Sequence, residues 1–168
     1  MLLRPQRLNA SHNLLEFDCG EDSLNVWLVN HARQADSSGS ARTFVVLDSD
    51  TNSVAGYFSL TVGQIDVVDA PERVSRGMGR FPIPVVLLAR LAVDTKWQSK
   101  GLGSAMLREA VLKTLALSEN VGVRAMLVHP LDEKAEAFYM KYGFIKSPVR
   151  EKQLLLLLKD ARKTFSQT

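Results

Sequence analysis

The sequence predicts a single α/β domain built on a mixed β-sheet. Apolar runs rich in β-branched residues interleave with segments in which apolar residues recur every three or four positions. A glycine-containing segment at 98–105, QSKGLGSA, joins a long apolar run to a helical segment. The chain contains no internal repeat and no linker, so we predict one domain spanning residues 1–168.

The predicted elements follow one another as helix, hairpin, strand, helix, strand, helix and strand. The first helix lies within 19–35, capped by Asp22 or Ser23, with Leu24, Trp27, Leu28 and His31 on one face. Two β-rich runs joined by DSDTNS predict an antiparallel hairpin at 43–47 and 54–62. The segment 69–84 predicts an exposed loop. The later elements are a strand at 85–93, a helix at 104–122, a strand at 123–129, a helix at 132–143 and a last strand in 152–159.

Composition excludes several classes of protein. The chain is 46% hydrophobic and 23% charged, as in an ordinary globular domain. It has no apolar run of about eighteen residues, and its N-terminus lacks the pattern of a signal peptide, so we expect a soluble cytoplasmic protein without a membrane span. With Cys19 as the only cysteine and three scattered histidines, we expect no metal site.

Positive charge is concentrated in one part of the chain. The formal net charge is only +3, from 21 basic and 18 acidic residues. Between 71 and 100 there are two acidic residues and six basic ones, so this segment alone carries +4. The six are Arg73, Arg76, Arg80, Arg90, Lys96 and Lys100.

The segment QSKGLGSA has the pattern of an anion-binding turn. Glycines allow positive φ, and the unpaired amides at a helix start carry the positive end of the helix dipole. From these residues alone, glycines that only change the chain direction are an equally good interpretation. A Walker loop is not supported because Lys100 precedes the glycines, and a dinucleotide-binding turn would follow the first strand, not the third.

In its context the turn resembles the acetyl-CoA motif Q/R-x-x-G-x-G/A of the GCN5-related N-acetyltransferase (GNAT) superfamily. Gln98, Gly101 and Gly103 match the motif, and the preceding strand ends in an apolar-Ala-Val triplet. AEAFYMKYGF at 135–144 resembles the later motif of the superfamily, a helix with an aromatic pair followed by GF. The resemblance implies the GNAT fold, a single mixed, mostly antiparallel sheet with splayed central strands, flanked by helices.

The resemblance also implies acetyl-CoA as co-substrate and no metal. Leu91, Ala92 and Val93 would pair with the pantetheine arm through their main chain, like an added strand. Phe138 would contact the same cofactor. The turn would surround the pyrophosphate with its amides, Lys100 adding a positive charge, and comprises Gln98, Ser99, Lys100, Gly101, Leu102, Gly103 and Ser104.

Acetyl transfer to an amine requires a neutral amine, a stabilised oxyanion and a proton for the leaving thiolate. Tyr139 lies where similar acetyltransferases place a tyrosine hydroxyl near the sulfur, which makes it the candidate acid; a packed aromatic is the alternative. By the same resemblance the amide of Val93 would stabilise the oxyanion. Tyr142 is assigned to packing, and His129 is better explained by a structural hydrogen bond than by a direct role. No residue is identified as a general base.

A more specific similarity extends from about Glu16 to Lys146. The segments FDCGEDSLNVWL, ARTFVVLDSDTNSVAGYFSL, IPVVLLARLAVD and GVRAMLVHPLDEKAEAFYMKYGF are similar to the acetyltransferase toxins of type II toxin–antitoxin modules. Such toxins acetylate the free α-amino group of the amino acid on charged tRNA and so inhibit translation. A ribbon-helix-helix antitoxin neutralises them. The similarity implies an aminoacyl-tRNA substrate, that kind of antitoxin as partner, and a homodimer.

The concentration of basic residues is consistent with an RNA substrate, because a tRNA acceptor stem presents a dense row of phosphates. The candidate tRNA-binding residues are Arg33, Arg76, Arg80 and Arg90. For any one surface arginine, a solvated side chain is the alternative. Arg90 lies in an apolar strand, so pairing with an acidic residue competes with a functional role there.

Two other functions remain open from the sequence. One is a GNAT enzyme for a small-molecule amine or a protein N-terminus, although a cationic acceptor would favour an acidic pocket. The other is an inactive acyl-CoA-binding or interaction module, against which the intact glycine motif and Tyr139 argue.

Overall fold

A mixed seven-stranded sheet dominates the computed structural model, which describes residues 1–165, and the predicted α/β fold is confirmed. The strand order is β1-β2-β3-β4-β5-β7-β6. The strands are β1 Gln6–Arg7, β2 Arg42–Leu47, β3 Val54–Ile65, β4 Ile83–Val93, β5 Ala125–Val128, β6 Ile145–Lys146 and β7 Leu154–Leu157. The helices are α1 Asp22–Asn30, α2 Ala32–Ser38, α3 Glu72–Ser75, α4 Leu102–Ser118, α5 Glu133–Lys141 and α6 Leu158–Phe165.

The sheet is mostly antiparallel, with one parallel pair at β4 and β5. The pairs β1–β2, β2–β3, β5–β7 and β6–β7 are antiparallel. Because β4 and β5 are parallel, their connection is a crossover, which α4 supplies. The parallel register ends at the pair Leu88–Val128, whereas β4 continues to Val93. Divergence of the two strands beyond that pair stays a prediction.

The chain groups into two compact units, and the first consists of Met1–Thr61 and Ala89–Ala110. Its core is built from side chains of α1, α2, the β2–β3 hairpin and the end of β4. Tyr57 is fully buried there, and its hydroxyl donates to the carbonyl of Leu24 at 2.7 Å. This bond ties α1 to the hairpin without leaving a buried hydroxyl unpaired.

The second unit consists of Val62–Leu88 and the described residues from Val111 onwards. Its core combines Val74 of α3 with strand residues such as Ile83, Ala125 and Leu155. The guanidinium of Arg124 donates to the carbonyl of Val74 at 2.9 Å, which holds α3 beside β5. The prediction of one domain is not tested by this grouping, and residues 166–168 of that range lie outside the described part.

The prediction of one continuous first helix, capped by Asp22 or Ser23, is wrong. The helix is divided into α1 and α2 at His31, whose φ of −128° departs from helical values. The break shifts the buried face by one position, so that Ala32 is buried and His31 is exposed. Glu21 occupies the N-cap position without a side-chain cap, and neither Asp22 nor Ser23 caps the helix.

Other predicted elements need smaller corrections. The hairpin, β4, β5, α4 and α5 are confirmed, with no end moved by more than four residues. The segment predicted as an exposed loop contains α3, whose Val74 is fully buried. The last predicted strand ends at Leu157, and the chain continues as α6. The short strands β1 and β6 were not predicted. Within residues 1–165, no helix combines the length and apolarity that crossing a bilayer requires.

A close approach at Gly56 leads to a first prediction. A Cβ added to this β3 residue would lie 2.8 Å from Cε and 2.9 Å from Sδ of Met106, and 3.1 Å from the carbonyl oxygen of Ala92. Met106 is fully buried, so its side chain must displace other core atoms to make room. We expect Gly56→Ala to lower the free energy of unfolding by about 1–3 kcal/mol.

Gly63 provides the matched control on the same strand. There an added Cβ would meet only Cγ2 of Val85, at 3.9 Å, an ordinary contact. Denaturant titration of both variants should therefore show a loss for Gly56→Ala and little change for Gly63→Ala. Equal losses would mean that strand conformation, not the approach of Met106, decides the effect.

The ion pair between α3 and α6 predicts a pH dependence. Arg73 Nε donates to Asp160 Oδ2 at 2.8 Å, and this pairing lowers the pKa of the Asp160 carboxyl. A depressed folded-state pKa means that the pair stabilises the fold above the unfolded pKa of about 3.9 and is lost as pH falls through the folded value. Because both side chains are partly exposed, we expect Asp160→Asn to cost only about 0.5 kcal/mol at pH 7 and less at about pH 3, below the unfolded pKa. Urea titrations at both pH values, with the exposed Glu151→Gln as control, measure this.

Candidate active site

Asp94 organises the chain between the end of β4 and the start of α4. Its carboxylate is buried and accepts hydrogen bonds from the amides of Lys96 at 2.9 Å and Asp18 at 3.1 Å. The amide of Trp97 donates to the Asp94 carbonyl at 2.8 Å, which closes a short 3-10 turn. These bonds fix where the chain leaves the strand and enters the glycine turn.

Gln98 fastens the glycine turn from within. Its side-chain amide donates to the carbonyls of Cys19 and Val93, both at 2.9 Å. The first bond reaches 79 positions back along the chain, and the second reaches the end of β4. The Gln98 side chain therefore positions the turn, and both of these bonds are to the protein's own carbonyls.

The turn has the backbone conformation of an anion-binding loop. Gly101 has φ of 85°, and Ser99 has φ of 62°, which a residue with a Cβ adopts rarely. The hydrogen bonds of α4 begin with the amide of Ala105, which donates to the carbonyl of Gly101 at 3.1 Å. The amides before Ala105 in the first turn precede the first such bond and are available to an acceptor from outside the helix. Gly103 is the second residue of α4, within this set.

Positive charge and open space accompany these amides. Lys100 is exposed, and its Nζ lies 5.2 Å from the centroid of the Trp97 ring. A cleft of about 310 Å³ lies beside Lys100, Gly101 and Leu102, and Arg108 of α4 also lines it. The turn thus offers backbone donors, a helix N-terminus and the charge of Lys100 to a negatively charged group, beside a cleft that Glu109 lines as well as Arg108.

Tyr139 lies on α5, in the second unit, among other aromatic side chains. It is only 8% exposed and packs edge to face against Phe138 and Phe144, with ring centroids 5.2 and 5.4 Å away. Burial raises the pKa of its hydroxyl above the ordinary value for tyrosine. Its hydroxyl makes no hydrogen bond within residues 1–165. The packing fixes the ring while the hydroxyl keeps its capacity to donate a proton.

Arg90 stacks on an aromatic ring instead of pairing with an acid. Its Cζ lies 4.0 Å from the centroid of the Trp27 ring, and no carboxylate forms an ion pair with it in the described part of the chain. The Trp27 ring in turn lies parallel to that of Tyr57, at 6.2 Å and an interplanar angle of 11°. The acidic partner that would have explained this strand arginine is therefore not found among residues 1–165.

The other candidate arginines have different surroundings. Arg33 donates to the backbone carbonyls of Asn9 and His12, which gives it a structural role in holding the N-terminal segment. Arg76 is exposed and pairs with Glu72 at 2.9 Å. Arg80 is exposed, with no ion-pair partner within residues 1–165. Of the four, Arg80 and Arg90 neither pair with a carboxylate nor donate to a backbone carbonyl among residues 1–165.

A match to a protein-family model identifies the family of this chain. Residues 40–146, which include the hairpin, β4, the glycine turn, α4 and α5, match the acetyltransferase (GNAT) domain. The chain belongs to the GNAT family of acetyltransferases. The likeness to this family that the turn and the α5 motif predicted is thereby confirmed, whereas the individual site residues stay predictions.

Relatives of this GNAT domain include toxins. A tRNA-acetylating toxin of Mycobacterium tuberculosis is 40% identical over 158 residues, covering 94% of this chain and 93% of that protein. The solved structure of AtaT complexed with acetyl-methionyl-tRNAfMet has a TM-score of 0.90 at 28% identity, covering 98% of this chain and 99% of that one. A tyrosine-to-phenylalanine mutant of the AtaT toxin, bound to the C-terminus of the antitoxin AtaR and acetyl-CoA, has a TM-score of 0.83 at 28% identity, covering 99% of each chain.

Sequence reasoning missed four features of this GNAT domain. Asp94 fastens the turn, Arg108 lines its cleft and Trp27 supports Arg90. The helix that carries Tyr139 also contributes Glu133 and Glu136 to a cavity of about 540 Å³, whose remaining lining comes from 146–154. The only sequence signal was the arginine in the apolar strand β4, which predicts that it has a partner but does not identify that partner. Among residues 1–165 no three His, Cys, Asp or Glu side chains are grouped to hold a metal.

Proposed function

We propose that this protein is the toxin of a type II toxin–antitoxin module. As such it transfers acetyl from acetyl-CoA to the free α-amino group of the aminoacyl moiety of charged tRNA and thereby inhibits translation. The observation that carries this proposal is the 40% identity, over 94% of the chain, to a tRNA-acetylating toxin. The TM-score of 0.90 to AtaT complexed with acetyl-methionyl-tRNAfMet supports it.

The glycine turn fits the diphosphate of acetyl-CoA. Positive φ at Ser99 and Gly101 exposes the amides that begin α4, and Lys100 adds charge at the same place. The main chain of residues 91–93 would hold the pantetheine arm, and Phe138 would contact the cofactor. Acetyl-CoA supplies the acetyl group as an activated thioester. Each of these assignments can be tested by measuring the affinity for acetyl-CoA, which does not require turnover.

Tyr139 is proposed as the general acid that protonates the leaving thiolate. A phenol with a raised pKa stays protonated at neutral pH, as this role requires. The amide of Val93 is proposed to donate to the oxyanion. The amine gives up its own proton to solvent or to a water molecule, since no side chain is assigned as base.

The acceptor is proposed to be bound through its phosphates. Arg80 and Arg90 are the cations best placed by their surroundings, with Arg76 available if its exposed pair with Glu72 opens. Arg33 is the weakest of the four because the fold already uses its guanidinium. Arginines suit phosphate contacts because such contacts neutralise charge and do not depend on the base sequence of the RNA.

The proposed partners are a ribbon-helix-helix antitoxin and a second copy of this chain, in the cytoplasm. The antitoxin is supported by the solved AtaT toxin bound to the C-terminus of AtaR. A small open reading frame next to this gene should encode it, and coexpression should restore growth. Sedimentation of the purified protein would test the homodimer.

The deciding experiment offers radiolabelled acetyl-CoA with charged tRNA, deacylated tRNA and polyamines. We expect label on the aminoacyl moiety of charged tRNA, released with the amino acid when the ester is hydrolysed by base. Label retained on deacylated tRNA, or found only on polyamines, would contradict the proposal. The second outcome would favour the alternative, a GNAT acetyltransferase of a small-molecule amine or a protein N-terminus.

A further inference from the structure

Arg90 is a half-buried cation that forms no ion pair with any carboxylate among residues 1–165. Burial lowers the pKa of its guanidinium, yet an arginine remains charged in a protein. Burying a charge without a carboxylate is costly unless a ligand or water completes its hydrogen bonds. No carboxylate among residues 1–165 forms an ion pair with Arg90, so its remaining hydrogen bonds are left to water or to a ligand.

Trp27 fixes the orientation of this guanidinium. Cζ of Arg90 lies over the Trp27 ring, 4.0 Å from the ring centroid. Tyr57, stacked parallel to Trp27 and bonded to the carbonyl of Leu24, holds the ring. A guanidinium stacked on its face presents its N–H groups along its edges, in the plane that matches the oxygens of a phosphate.

The place of Arg90 on β4 points to the acceptor. It immediately precedes Leu91, Ala92 and Val93, whose main chain is proposed to hold the pantetheine arm. Side chains alternate along a strand, so Arg90 shares a face with Ala92, which is buried in the core beneath α1. In an aminoacyl-tRNA the α-carboxyl group is esterified, so the negative charge next to the reacting amine is a phosphodiester.

We propose that Arg90, held by Trp27, binds a phosphodiester of the single-stranded 3′ end of the acceptor tRNA, and that Trp27 is a positioning residue for this contact. The inference rests on the proposed function, which it deepens by naming the group that is bound. It predicts that recognition at Arg90 depends on the phosphate and not on the amino acid.

The test compares Arg90→Gln and Arg90→Lys with the wild type on three acceptors. These are charged tRNA, the methyl ester of the same amino acid and the free amino acid. We expect Arg90→Gln to lower kcat/KM on charged tRNA by about 10- to 100-fold, mainly through KM, and to leave the methyl ester unaffected. The slope of log K against log salt for charged tRNA should fall by about 0.7, as for one phosphate on a single strand.

The control is Arg7→Gln, which removes an exposed arginine paired with Asp36 at 2.9 Å. It should change neither KM nor the salt slope. Thermal unfolding and acetyl-CoA affinity are measured for every variant, so that a folding defect is recognised. Arg90→Lys should retain the salt slope but lose most of the affinity, since a lysine cannot form the same planar pair of bonds.

Trp27 is tested by Trp27→Phe and Trp27→Leu. We expect Trp27→Phe to keep KM for charged tRNA within about threefold, because a ring still covers the guanidinium, and Trp27→Leu to raise it toward the value of Arg90→Gln. The methyl ester should be acetylated at the same rate by both. Equal KM values in the phenylalanine and leucine variants would overturn the positioning role.

Distinct outcomes separate this inference from the proposed function. A wild type that acetylates the methyl ester but not charged tRNA would overturn both. A wild type active on charged tRNA, with Arg90→Gln reducing both acceptors equally or leaving the salt slope unchanged, would overturn the inference alone. Loss confined to the free amino acid would show that Arg90 binds a carboxylate, which also overturns it.

Discussion

Tyr139→Phe is expected to lower kcat by about 10²- to 10⁴-fold, the range in which positioned proton transfer contributes to enzymatic rates. The substitution removes one oxygen from a side chain whose ring is packed between Phe138 and Phe144. Since the hydroxyl makes no hydrogen bond within residues 1–165, its loss leaves no partner unpaired. Stability and acetyl-CoA affinity should therefore be those of the wild type. Single-turnover rates with saturating acetyl-CoA measure the effect on the chemical step.

Tyr142→Phe is the matched control for this experiment. Tyr142 caps the end of the same helix and packs against Phe138, but the sequence assigns it to packing alone. We expect its kcat to stay within about twofold of the wild type. Comparable rates in the wild type and Tyr139→Phe would show that this tyrosine is a packed aromatic residue and not the general acid.

The same hydroxyl predicts the shape of the pH profile. Burial raises the pKa of Tyr139, so the acid form persists beyond the ordinary tyrosine value of about 10. The rate should rise with pH as the acceptor amine loses its proton, and it should show no alkaline fall from Tyr139 below pH of about 10. A fall centred near pH 8 that vanishes in Tyr139→Phe would contradict the raised pKa.

Gly101→Ala should weaken acetyl-CoA binding by about 10- to 100-fold. At φ of 85° an alanine is strained by about 1–2 kcal/mol, and relief of the strain moves the amides that are proposed to hold the pyrophosphate. No atom lies within 4 Å of the added Cβ, so a direct clash is not the cause. Calorimetric titration with CoA measures the affinity without turnover.

Gly39→Ala separates strain from ligand binding. Gly39 ends α2 at φ of 79°, and an added Cβ there also meets nothing within 4 Å. Both alanine variants should lose about 1–2 kcal/mol of stability, but only Gly101→Ala should lose CoA affinity. Equal affinity in the two variants would show that the turn is a structural bend, the alternative that its glycines allow.

Elements of long, regular pattern could be predicted from the sequence because their signals are local. The hairpin, β4, α4 and α5 each carry their own periodicity and end signals, and α4 buries Leu107, Val111 and Leu115 as its spacing predicts. Where the pattern is uniform, the strand was predicted but its end was wrong. The run of five leucines at 154–158 does not reveal that the strand ends at Leu157, since strand and helix both accept it.

The sequence by itself determined the family and the glycine turn, because a strand, a turn and a helix start are adjacent in the chain. Tertiary structure alone decided how the turn is fastened and what Arg90 contacts. Gln98 bonds a carbonyl 79 positions away, and Arg90 stacks on a ring of α1, 63 positions before it. Such contacts depend on which elements the sheet brings together, and no local periodicity encodes that pairing.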